Sequence, residues 1–267
     1  MRLGEGINCP RPDYVLANSK IDSMWKASFL FFAILVGCIK YVEIPDKQPS
    51  GGLETLQLVY NLENGYVPSR IFSGPSDYPP EKFHVYAIVA FPANGFAKER
   101  ERHLLHCKAY IASLNNSFRL SRELHKQLVT VWPLNSNNTA YFLNNKTIEL
   151  DSICEIAVSE YGLSSAQLAL RQARMRDSSV KGVGPFLLAW SPAARKGQKD
   201  SDMLVMDLSG VNSYDSALKR YVMWAEEIEN DPSTWESGWD YDKILANIAN
   251  SLNQRGREWF RIIQGDD

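Results

Sequence analysis

The order of apolar and polar positions divides the chain into three stretches. Residues 27–39 form one apolar run, closed by Lys26 and Lys40. Residues 38–82 are punctuated by Pro45, Pro68, Pro75, Pro79 and Pro80 and by Gly51, Gly52, Gly65 and Gly74. Breaks at that density describe a tether, in which only the apolar burst at 53–62 reads as a strand. From Phe83 onward, short β-type runs alternate with helical periodicity, and the stretch 83–267 reads as one folded domain.

Within that domain, residues 83–91 are rich in β-branched and aromatic side chains and predict a strand buried on both faces. Pro92-Ala93-Asn94-Gly95 predicts a turn, and Leu104, Leu105, Ala109, Ile111 and Ala112 mark the inner side of a helix over 96–115. Residues 128–134 predict a second strand, stopped by Pro133 and the polar run 135–138, which together with the first forms a βαβ unit if the two are parallel. Helices are expected at 151–160 and 164–176, and strands at 185–190 and 203–208 joined by a polar, basic loop. Ser213 caps a helix running to Glu229, and Asp231-Pro232 ends it. A last helix is expected over 241–263, burying Ile244, Leu245, Ile248, Leu252 and Trp259. The fold class is therefore α/β, a single domain with a mixed sheet of about four or five strands packed by helices.

The run at 27–39 is about 13 residues long, whereas a bilayer-spanning helix needs roughly 20. A length of about 10–14 residues behind a positive charge is that of a signal-peptide core. It ends in Leu35-Val36-Gly37-Cys38, with Gly37 small enough for a peptidase to approach. The segment from Met24 to Cys38 resembles the signal peptide and lipobox of bacterial lipoprotein precursors. The resemblance covers those residues alone, and no family is identified for the folded domain. It implies cleavage before Cys38, lipidation of the Cys38 thiol, and a domain held outside the cytoplasm by an N-terminal lipid. Each buried methylene contributes about 0.8 kcal/mol, so two or more acyl chains anchor stably where one does not. Ile39 after the cysteine implies the outer membrane, if the cell has one. Met24 begins a compact signal, so translation is expected to start there and residues 1–37 form the leader. The rivals are an uncleaved signal anchor, bounded by Trp25 and Tyr41, which would make the protein bitopic, and a buried core helix, which the absence of a polar face disfavours.

The 267 residues carry a formal net charge of −2 with 22% charged positions, which describes a globular domain without the basic stripe of a nucleic-acid binder. Of four cysteines, Cys9 lies in the leader and Cys38 is the lipidation site. Cys107 and Cys154 remain as a pair able to form a disulfide in an oxidising compartment; the alternative is two buried thiols. Asn-x-Ser/Thr triplets begin at Asn115, Asn137 and Asn145. They are glycan acceptors in a eukaryotic secreted chain and plain loop sequence in a bacterial one.

Chemistry-bearing clusters are few. Glu99, His103 and His106 share a helix face with metal-ligand spacing, with His84 or His125 to complete a site, but no HExxH is present. Ser191, Ser209, Asp207 and His84 suggest a nucleophile–base–acid set without the glycines of a nucleophile elbow. Lys181-Gly182-Val183-Gly184-Pro185 precedes a strand, the wrong order for a phosphate loop, and reads as a turn. Trp235 and Trp239, framed by Glu236 and Asp240, are the best candidates for a protein-docking or sugar-stacking surface. No catalytic residue, metal or cofactor is assigned. The expected role is a lipid-anchored, non-catalytic accessory protein of the cell envelope that docks another envelope protein, with an envelope hydrolase or metal-dependent enzyme as the alternative.

Overall fold

The computed structural model describes residues 68–77, 82–93, 99–120, 123, 126–193, 202–251 and 260–263. They build one mixed sheet of seven strands, in the order β3-β1-β4-β2-β5-β6-β7. The strands are β1 (Ser69–Ser73), β2 (Val85–Ala90), β3 (Asn115–Asn116), β4 (Leu128–Pro133), β5 (Phe186–Trp190), β6 (Met203–Asp207) and β7 (Phe260–Ile263). The helices are α1 (Arg100–Ser113), α2 (Asn137–Asn145), α3 (Leu150–Ser159), α4 (Leu163–Arg176), α5 (Tyr214–Trp224) and α6 (Tyr241–Ser251).

β2 and β4 run parallel, with Val85 opposite Leu128, so β2-α1-β4 is the βαβ unit that the apolar pattern predicts. β1 is parallel to β4 on its other side, while β5, β6 and β7 are antiparallel additions beyond β2. Every residue of β2, β4 and β5 is buried, as expected of strands whose side chains alternate between two covered faces. Packing is heavily aromatic. Tyr86 stacks on Trp190 across the β2–β5 pair with ring centroids 5.4 Å apart, and Phe91, Trp132 and Tyr161 meet edge to face. The Tyr161 hydroxyl accepts from Phe91 N and donates to Val89 O, both at 2.8 Å, fixing the α3–α4 junction to the end of β2.

Three expectations are corrected. The stretch 38–82 is not tether throughout, because Ser69–Ser73 forms β1 and is buried along its whole length. Two of its polar side chains find partners on distant chain: Ser69 Oγ donates to Leu128 O, and Arg70 Nε donates to Leu114 O beside the rings of Phe72 and Tyr110. β3 covers only Ser69 and Arg70, and beyond it the Asn144 amide takes its place, accepting from Phe72 N and donating to Phe72 O. The polar run after β4 does more than end a strand. Ser136 accepts from Thr139 N and starts α2. The last helix is described as far as Ser251, and Phe260–Ile263, expected as helix, pairs instead as β7 against β6. Leu252 and Trp259, like the burst at 53–62, lie outside the described residues.

Candidate functional site

At the end of the sheet where β2 begins and β5 ends lies an open cleft of about 770 Å³. His84 precedes β2, Ser191 and Pro192 follow β5, Asp202 precedes β6, and the rest of the described wall is the loop from Glu236 into the first turn of α6. Polar contacts hold this loop in place. His84 Nε2 donates to Glu236 O at 2.7 Å, and Ser191 Oγ donates to Trp235 O at 2.5 Å. Asp240 N donates to Thr234 O at 2.8 Å, while Asp240 Oδ1 accepts from Lys243 N at 3.1 Å to cap α6. Gly238 takes φ +109, a left-handed conformation that L side chains rarely adopt.

The cleft is anionic. Among the described residues, Asp202, Glu236, Asp240 and Asp242 line it, and no Lys or Arg does. Lys243, one residue on, is engaged by Asp231 at 3.8 Å and by Ser233. Burial, aided by the neighbouring Asp202 carboxylate, pushes the Tyr241 phenol well above its ordinary range, so that it remains a neutral hydroxyl. The Trp239 indole N–H is buried in the same wall without a hydrogen-bond partner. The described lining therefore presents carboxylate acceptors to the cleft, while the indole N–H has no exposed surface from which to donate to it.

The structure places the sequence candidates as follows. Trp235 and Trp239 are 1% and 7% exposed, so the rings themselves form no docking or stacking surface. The loop folds inward, and Trp235 Nε1 donates to Ile228 O at 2.9 Å. What remains exposed on this loop is its acidic backbone-anchored tip. His103 and His106 are buried among aromatic rings, His103 lying 3.6 Å from the Phe91 ring. Desolvation, with Arg102 adding repulsion, lowers His103 to about 4 and His106 to about 3, so both are neutral. Among the described residues, no group of three or more His, Cys, Asp or Glu side chains could hold a metal, and His125 lies outside them.

The hydrolase set is not assembled. Phe186 pairs with Asp207 and Trp190 with Met203, so Asp207 and Ser209 stand at the opposite end of the β5–β6 hairpin from Ser191 and His84. Asp207 Oδ1 instead accepts from Ser209 N, and Ser209 Oγ accepts from Gly184 N. The Gly182–Pro185 segment is a turn, with φ +135 at Gly182, φ +67 at Gly184 and a cis peptide before Pro185. Cys38 lies outside the described residues, among which no helix is long and apolar enough to cross a membrane.

Two further features carry chemistry: the cysteine pair that the sequence leaves open between a disulfide and two thiols, and a glutamate that the sequence pattern does not isolate. Cys107 on α1 and Cys154 on α3 are joined in a disulfide with Cα atoms 5.6 Å apart. Glu229 is fully buried at the end of a π turn, Ala225–Glu229, that follows α5. The bond from Asn230 N to Ala225 O spans five residues and rotates Glu229 inward, out of the acidic face formed by Glu226 and Glu227. Its carboxyl accepts from Ser69 N at 2.8 Å, from Trp224 Nε1 at 2.7 Å and from the Thr130 hydroxyl. Burial outweighs these bonds and pushes Glu229 up to about 8. It is a structural clasp between β1, β4 and the π turn. Compared with family models, with curated proteins and with solved structures, the chain matches none.

Proposed function

We propose that this protein is a membrane-tethered, non-catalytic interaction component whose domain works on the oxidising side of a membrane. The Cys107–Cys154 disulfide carries this reading, because such bridges persist where thiols are not kept reduced. The short apolar run ending at Cys38 supplies the tether through lipidation of its thiol, placing the domain in the cell envelope. The envelope partner engages the anionic cleft through a basic segment, which the four lining carboxylates attract and orient. Radiolabelled palmitate incorporated by the wild-type chain and lost in Cys38→Ala, with release from membranes, tests the anchor. Retention of both the label and the membrane location in Cys38→Ala refutes it. The cleft is tested by anisotropy with a fluorescent lysine-rich peptide. Glu236→Gln with Asp242→Asn should weaken binding several-fold at low salt, and unchanged binding contradicts the assignment.

A second reading keeps residues 27–39 as an uncleaved signal anchor, with the same domain facing a secretory lumen. It is favoured by Trp25 and Tyr41, aromatic residues flanking the two ends of the apolar run. The compartment is oxidising in both readings.

A further inference from the structure

We infer that Asn145 is an asparagine-linked glycosylation site, and that of the three triplets it alone is exposed at all three positions. The inference rests on the signal-anchored form of the reading above. Asn145, Lys146 and Thr147 are all exposed, at the point where α2 gives way to irregular chain. The Asn145 amide nitrogen donates one hydrogen to Tyr141 O at 2.8 Å. It has a second hydrogen, so an N-linked sugar can replace one and leave that bond intact. Tyr141 lies one helical turn earlier on the same face and is 71% exposed, which offers the first sugar an aromatic ring to rest on.

The other two triplets are committed to packing. Asn137 Nδ2 donates to Ser76 Oγ at 2.7 Å and its Oδ1 accepts from Ser76 N at 3.1 Å. That oxygen also lies so close to Gly74 that a Cβ there would collide with it. Asn115 is half-buried in β3, with its amide directed to Pro68 O and its backbone paired to β1. A sugar on Asn115 crowds the Pro68 contact beside β1, and one on Asn137 crowds the Gly74–Ser76 turn that follows it.

The chemistry needs a lipid-pyrophosphate-linked oligosaccharide and the host's transferase. Asn145 Nδ2 forms a bond to the sugar C1, the C1–O bond to the pyrophosphate breaks, the lipid pyrophosphate leaves, and one amide proton is lost to the transferase base. The Thr147 hydroxyl, the third residue of the triplet, now accepts from Arg119 Nη2 at 3.2 Å on the open surface and is free to be engaged.

The test expresses the full chain in a eukaryotic secretory host. Peptide N-glycosidase treatment is followed by peptide mass spectrometry, with Cys107–Cys154 pairing read from the same digest. The expected result is a single mobility step, conversion of Asn145 alone to aspartate, loss of the step in Thr147→Ala and its retention in Thr147→Ser. A closed disulfide with unmodified Asn145 overturns the assignment while leaving the compartment standing. Sugar on Asn115 or Asn137 in the folded fraction overturns the choice of site. Free thiols without any glycan overturn the compartment reading, and the assignment with it.

Discussion

Reducing the Cys107–Cys154 bridge should cost the domain a large share of its stability. The two cysteines are 47 residues apart in sequence and link α1 to α3, both of their side chains fully buried. Closing a loop of that length in the unfolded chain removes conformational entropy worth about 4 kcal/mol at room temperature. Folded domains are typically stable by only about 5–15 kcal/mol, so this one bond decides between a robust and a marginal fold. With a urea slope of roughly 2 kcal/mol per molar, the unfolding midpoint should fall by about 2 M on reduction. The assay is urea unfolding followed by tryptophan fluorescence, oxidised against reduced, with Cys107→Ala/Cys154→Ala as a second route to the open form. Both open forms should unfold at similar, lower urea. Midpoints for oxidised and reduced protein that agree within about 0.5 M would refute the reasoning.

Buried titratable groups set two pH limits. Glu229 stands near 8 in the fold against 4.5 when exposed, so its neutral form stabilises fully below 4.5 and that contribution is lost as pH rises through 8. Urea titrations from pH 5 to 9 should show a decline on the order of 4 kcal/mol that Glu229→Gln flattens; parallel profiles would contradict it. His103 and His106 act in the opposite direction, their stabilisation being complete above 6.5 and lost as pH falls through about 4 and 3. His106→Leu should move the acid-unfolding midpoint, followed by circular dichroism, to lower pH, and an unmoved midpoint counts against the buried-neutral assignment. Gly184→Ala forces φ +67 on a side chain whose Cβ meets Pro92 Cδ at 2.7 Å, costing at least about 1–2 kcal/mol in urea unfolding. Gly210→Ala, with nothing within 4 Å, is the control, and equal effects would argue against the close approach at Gly184.

Much of the sheet is legible in the sequence because its central strands are apolar on both faces. The runs at β2, β4, β5 and β6 announce themselves by composition, and α1, α4 and α5 by periodicity. β1 is hidden because Ser-Arg-Ile-Phe-Ser carries three polar residues, of which Ser69 and Arg70 are buried against partners distant in sequence, Leu128 O and Glu229 for Ser69 and Leu114 O for Arg70. β7 is hidden because apolar residues continue at helical spacing beyond α6 in the sequence, whereas pairing with β6 decides the outcome. The candidate site shows the same division. The acidic frame around Trp235 and Trp239 is visible in the chain, but whether rings or acids face outward depends on Ser191 and His84, distant in sequence, pulling the loop backbone inward. The inward turn of Glu229 requires a π turn that the Glu-rich stretch does not signal.

The central claim, a domain held to a membrane with its disulfide side in an oxidising space, reduces to one measurement. Thiols are trapped by alkylation in intact source cells, membranes are separated, and the Cys107 and Cys154 peptides are mapped by mass spectrometry. The account predicts the two peptides joined and unalkylated, in a fraction that only detergent releases. Alkylated, separate peptides in the soluble fraction would contradict it.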